Sequence, residues 1–220
     1  MKNFNQYRQQ FSTFYEGVKV IHLTSSRPHR GHGLDHDVTV AQLAAQFAPN
    51  QRTAAKAWCG AMLHSIDRIV EKDEVEEITR LLASHLSSAF AAEEVEEIVQ
   101  AALRHMEKNQ DDQSLTQQCL MDGDRIANMM PTVIIRAAQC QPHLPPFEFE
   151  YLAGSPNPAS SYFNILSVLD DLRIIISEYL PQFRLPKAKK LSQKYATQLR
   201  RYIAEVEKGN RDLGLAGITL

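Results

Sequence analysis

With 220 residues, the chain can bury a substantial core as one domain, or as one domain with a C-terminal extension. Its 44% hydrophobic and 23% charged content is that of a globular protein, and a formal net charge of −2 gives no basic field for a nucleic-acid polymer or an acidic membrane. The first residues show no basic stretch followed by an apolar one, no run approaches the roughly 18 apolar residues of a membrane helix, and Cys59, Cys119 and Cys140 lack CxxC spacing, so a reducing cytoplasmic setting is expected.

Helical periodicity starts at once. Phe4, Tyr7, Phe11, Phe14, Val18 and Ile21 follow three-four spacing. A polar segment, SSRPHRGHG, then reads as a loop; its His29 and His32 could lend a ligand or contact substrate at a pocket rim, but they, like His22 before it and His143 later, are expected to be solvated. One helix is predicted from about residue 34 to 47, closed by Pro49, and another over about 51–70 with Ala55, Trp58, Met62 and Ile66 facing inward.

The segments EVEEITRLLASHL and EVEEIVQAALRHM align without a gap between residues 74 and 106. Each carries acids in its first turn, where they favour the positive end of the helix dipole. The phase of Val75, Ile78, Leu82 and of Val95, Ile98, Ala102 puts His85 and His105 on inward faces.

A further helix is predicted over about 114–130, ended by Pro131, and it carries Asp122, Asp124, Arg125 and Asn128. Residues 141–160 are rich in Pro and turn formers and read as an ordered loop, with Phe147, Phe149 and Tyr151 arguing against a disordered linker. An apolar helix over about 162–180 follows. The last helix, about 187–208, would turn Leu191, Tyr195, Leu199, Tyr202 and Val206 inward and carry a solvated basic face. No stretch alternates like a strand, so the fold is expected to be all-α.

Four imidazoles and one carboxylate stand inside these apolar helices or at their edges: His36, His64, His85, His105 and Asp124. A single buried histidine is ordinarily satisfied by hydrogen bonds. Five such groups on different helices are costly to desolvate without a compensating cation or network. Imidazole with carboxylate suits Mn, Fe, Co, Ni, Zn or Mg according to geometry.

The order GHGLDHDVTVAQLA, AMLHSIDR, MDGDRIANM resembles the HD-domain superfamily, whose pattern is a lone His, a His-Asp pair in an "LLHDIG" helix and a later Asp followed by Arg. The resemblance spans about residues 31–130 and leaves the C-terminal ninety unmatched. It implies an all-α bundle and a metal-dependent phosphohydrolase or phosphodiesterase acting on nucleotides and related phosphate esters. A minority of members are two-iron oxygenases. By position, His36 matches the lone ligand, His64 the histidine of the pair and Asp124 the final aspartate, while His85 and His105 fall where two-metal members place further histidines. DRIANM is also similar to a segment of alarmone hydrolases. An HD-like helical domain is thus expected over 1–140, with the loop and helices of 141–220 packed on the same core.

The departure lies at the pair's aspartate, which is Ser65 here. A hydroxyl is a far weaker ligand than a carboxylate for Mg²⁺ or Zn²⁺. Either Asp67, one helical turn beyond His64, supplies the missing charge, or the site has lost chemistry and survives as a binding module for a small phosphorylated ligand. In the first case the cation would lower the pKa of a bound water, Asp67 would orient that water or act as its base, and Arg125 or Arg68 would contact phosphate. Asp67 also has a plain role as the surface partner of Arg68 or Lys72. A two-iron oxygenase is disfavoured by the lost bridging carboxylate.

Overall fold

The computed structural model describes residues 2–27, 31–152 and 154–218. It is all-α: among these residues the ordered elements are helices, with a lone antiparallel bridge between Ser161 and Asn164. None of the helices among the described residues is long and apolar enough to cross a membrane. The chain divides into two compact units, Met1–Ala127 and Asn128–Leu220.

In the first unit, the predicted opening helix is two: α1 (Phe4–Gln10) and α2 (Ser12–Thr24), separated where Phe11 leaves helical geometry (φ −117°, ψ 42°). Asn3 caps α1, its side chain accepting from Gln6 N–H while Gln6 accepts from Asn3 N–H. The break lets Tyr7, Phe11 and Phe14 gather around the fully buried Trp58, with ring centroids 5.5, 6.0 and 6.5 Å away. Such packing fixes the N-terminal helices to the helix that carries Trp58 through stacked and tilted aromatic contacts. Past Val18 the inward position falls on His22, not Ile21.

The centre of this unit is α3 (Leu34–Phe47), α4 (Gln51–Leu63) and α8 (Leu115–Ala127). The helix predicted over 51–70 ends at Leu63. His64 and Ser65 form a turn, and a single-turn α5 (Ile66–Ile69) follows. α3 and α8 approach through Gly123, where a Cβ would stand 2.9 Å from Ala44 N and 3.1 Å from Val40 O. Only a residue without a side chain fits there.

α6 (Val75–Ser84) and α7 (Ala92–Leu103) are the two repeat segments, packed as a pair. Their acidic turns have definite partners: Glu94 accepts from Ala91 N–H and pairs with Arg52, Glu96 pairs with Arg80 at 2.6 Å, and Glu97 with Lys56 at 2.5 Å. In α7 the predicted phase holds, burying Ile98, Ala102 and His105. In α6 it is off by one position. The inward face is Thr79, Leu82, Ala83 and Leu86, so His85, at the C-cap, is exposed.

The second unit contains α9 (Val133–Cys140), α10 (Val168–Tyr179) and α11 (Pro186–Asp212). The described residues of the 141–160 segment are tied down as expected. Arg173 donates to Tyr151 O and Ser155 O, Asn157 N–H donates to Asp170, and Leu152 is fully buried. α10 begins later than predicted because Ser167 caps it, accepting from Asp170 N–H. On α11 the buried stripe is Ala188, Ser192, Ala196, Leu199, Ile203 and Glu207, one position round from the predicted face except at Leu199. Small residues face inward there, and Glu207 is paired with Arg173 at 2.6 Å, while Tyr202 remains exposed.

Candidate metal centre

Three side chains from three helices converge. His36 stands in the first turn of α3, His64 in the turn that ends α4, and Asp124 on α8 directly after the close approach at Gly123. One ligand atom from each lies within 4.8 Å of the others. His36 Nε2 is 3.2 Å and His64 Nε2 3.9 Å from Asp124 Oδ1. Both imidazoles are buried and the carboxylate is half-buried.

The turn after α4 sets the orientation of His64. Its Nδ1 lies 2.6 Å from Ala61 O, a carbonyl left open by the end of the helix, so Nδ1–H donates there and Nε2 faces Asp124 with its lone pair. His105 repeats the device just past α7, with Nδ1 2.7 Å from Ala102 O. Its ring meets that of His64 edge-on at 5.3 Å between centroids. His36 is 5.2 Å from His64, and His32 is 5.2 Å from His36. Four imidazoles thus stand in a row, with Asp124 against the middle two.

Burial pushes the His64 imidazole down to about 4, although Asp37 and Asp124 pull the other way. Burial likewise takes His32 to about 4, with His36 adding to the effect. Burial acts to raise the Asp124 carboxyl, but its hydrogen bond with His36 and the neighbouring imidazoles outweigh that and hold it well below the usual carboxylate range. Near neutral pH the site therefore offers unprotonated His64 and His32 nitrogens beside an ionised carboxylate.

Beneath this row lies a carboxylate that sequence reasoning passed over. Asp37 is fully buried. Its Oδ1 accepts from Ser65 Oγ at 2.5 Å and lies 3.6 Å from His64 Nδ1, and its Oδ2 is 2.8 Å from the buried His22 Nε2. Periodicity carried the signal for both residues. Asp37 is three before Val40 and four before Ala41 on the buried face of α3, and His22 is four after Val18.

The remaining predicted positions are not among the three clustered ligands. His85 is exposed at the end of α6, because Leu86 takes the inward place, and it stands outside the converging group. Asp67 is half-buried on α5, with Oδ2 3.5 Å from Arg68 Nε and Oδ1 buried without a hydrogen bond among the described residues. Arg125 is buried with Nη1 3.4 Å from Asp122 Oδ1 and Nη2 3.0 Å from Asn109 Oδ1, so the protein itself engages its guanidinium. His32, expected to be solvated, is half-buried against His36, whereas His143 is exposed. His29 lies outside the described residues.

Residues 33–129 match the family model of the HD domain. Among solved structures, a crystal structure from a structural-genomics programme, of a protein from Lactobacillus plantarum, superposes with a TM-score of 0.63 at 18% identity, covering 90% of this chain and 96% of that one. At that identity the likeness shows the all-α fold alone. A search of curated proteins finds no match.

Proposed function

Taking residues 33–129 as an HD domain, we propose that this chain is a metal-dependent phosphohydrolase acting on a nucleotide or a related phosphate ester. The observation that carries the reading is the convergence of His36, His64 and Asp124 from three helices within 4.8 Å. The donor set fits a small divalent cation. Imidazole nitrogens with one carboxylate favour Mn, Fe, Co, Ni or Zn, and the Ala61 carbonyl already turns the His64 lone pair inward.

His36, His64 and Asp124 would hold the cation, and His105 and His32, at either end of the row, are placed to extend the donor set. A cation so held supplies a bound water of near-neutral pKa and offsets charge on the phosphoryl oxygens. Asp124 contributes the anionic ligand and His64 a neutral one, so the pocket keeps a net positive centre toward a phosphate. The turn of α4 and the contact at Gly123 fix these two groups before substrate arrives.

Elemental analysis of the purified chain, followed by a panel of phosphate esters with Mn²⁺, Co²⁺ and Ni²⁺, tests this. His64→Ala and Asp124→Ala are expected to lose bound metal and phosphatase activity together, by at least a hundredfold. Full activity in metal-stripped His64→Ala protein would remove the mechanism. The rival is a binding module with the same cleft and no turnover, which the neutral side chain at Ser65 favours. Micromolar nucleotide binding with no hydrolysis under any of these metals would decide for it.

A further inference from the structure

We propose that the outer face of α11 binds a single-stranded nucleic acid, with its phosphates along a line of lysine and arginine and its bases against two tyrosines beside that line. The surface lies wholly within the second unit and is independent of the metal reading above.

The formal charge of the whole chain, −2, conceals how unevenly its charges are placed. Between Glu178 and Glu205 there is no acidic residue, yet α11 sets Lys187, Lys189, Lys190, Lys194, Arg200 and Arg201 there, all exposed. The ion pairs of this helix use Glu207, with Arg173 and Arg211, and leave Lys189, Lys190, Lys194, Arg200 and Arg201 without a carboxylate partner among the described residues. A helix face built only for water intersperses both signs, as α6 does where Arg80 meets Glu76 and Glu96. The first two-thirds of α11 holds one sign alone.

The buried stripe of Ala188, Ser192, Ala196, Leu199 and Ile203 fixes which way these groups point. Lys187, Lys190, Lys194 and Arg201 follow one another at steps of three, four and seven, so they form one line on the side away from that stripe, roughly 21 Å long at about 1.5 Å per residue. A straight row of cations of that length suits a chain of phosphates better than one compact anion. Tyr195 and Tyr202 lie along one flank of the row, two turns apart. Tyr202 is 41% exposed, and Tyr195 is half-buried with the Lys194 ammonium 5.9 Å from its ring centroid. These rings select among polyanions. Unpaired bases stack on aromatic faces, whereas a duplex keeps its bases inside and offers phosphates only. An anionic bilayer takes an amphipathic helix by its apolar face, and α11 has already buried that face in the protein.

The test titrates the full chain, in chelator so that no hydrolysis intervenes, into fluorescein-labelled oligothymidylate and oligouridylate of about fifteen nucleotides. Anisotropy reads binding, and circular dichroism reports the fold of each variant. Micromolar binding is expected at low salt, weakening as salt rises with a log–log slope of about −3, the value for four phosphates neutralised on a single strand. Lys190→Glu combined with Lys194→Glu should weaken it at least tenfold, and Tyr202→Ala about tenfold, with Tyr202→Phe close to wild type. A duplex of the same length and phosphatidylserine vesicles should each be held at least tenfold more weakly than the single strands. No binding to either oligonucleotide at low salt, or binding untouched by the double charge reversal, overturns the proposal. Duplex or vesicles held as tightly as the single strands, with Tyr202→Ala unchanged, overturns it as well and leaves a cationic surface without selectivity.

Discussion

At the scale of residues, position 65 decides how the site can be repaired or broken. Writing aspartate back at that position looks from sequence like restoration of a lost motif. The structure says otherwise, because the Ser65 hydroxyl touches Asp37 Oδ1 at 2.5 Å and a carboxylate placed there would confront another inside the core. Two carboxylates at that separation cannot both ionise without a cation. Ser65→Asp is therefore expected to destabilise the metal-free protein by on the order of 3 kcal/mol, and Asp37→Ser combined with Ser65→Asp to recover most of it. Chemical denaturation of the two variants in chelator measures the difference, and equal stabilities would contradict the pairing. His36, His64 and Asp124 could be read from motif order, since each sits at a recognisable place in an apolar helix. Asp37 and His22 were missed because the eye follows apolar residues along a stripe, and both are polar groups placed on buried faces.

At the scale of helices, the existence of nearly every element was legible and the phases were less so. α3, α4, α7 and α8 have broad apolar faces that admit one solution. α6 and α11 are narrower stripes in which small or paired polar residues face inward, Thr79 and Ala83 in one and Ala188, Ser192 and Glu207 in the other, so a reading that ranks large side chains first turns the helix too far. That rotation is what moved His85 from the core to the surface. The break at His64–Ser65 was also invisible, since the apolar run continues through Ile66 and Ile69. Gly123 is where helix geometry and site meet. Gly123→Ala would drive a methyl against α3 backbone and is expected to cost about 1–3 kcal/mol by thermal or chemical melts. It should also weaken Co²⁺ binding several-fold, because Asp124 moves with α8. A stable, normally binding Gly123→Ala protein would show that the helices can part without loss.

At the scale of the whole molecule, the two compact units respond to acid with opposite sign. In the first, the folded state holds His64 at about 4 against an ordinary 6.5. Unfolded chains take up that proton between these values while folded ones do not, so the stability contributed is full above pH 6.5 and is lost as pH falls toward 4, by up to about 3 kcal/mol. In the second, burial raises Asp171 to about 6 from 3.8, with Arg136 only partly opposing it. Folded protein holds that proton longer, so its contribution is present below 3.8 and is lost as pH rises through 6. Amide exchange corrected for intrinsic rate should thus show α3 and α4 opening more readily at pH 5 than at pH 7, and α10 less readily. Asp171→Asn should stabilise α10 at pH 7.5 by on the order of 1–3 kcal/mol and have no effect near pH 4. Parallel changes in both units would contradict the assignment. The contact at Gly123 bears on how such losses reach the chemistry. Main chain rests there on main chain, a hard stop whose thickness no rotamer elsewhere can alter. Erosion of the surrounding core should shorten the protein's lifetime long before it changes the gap between His36 and Asp124, so weakened variants should bind at normal strength until they fail all at once.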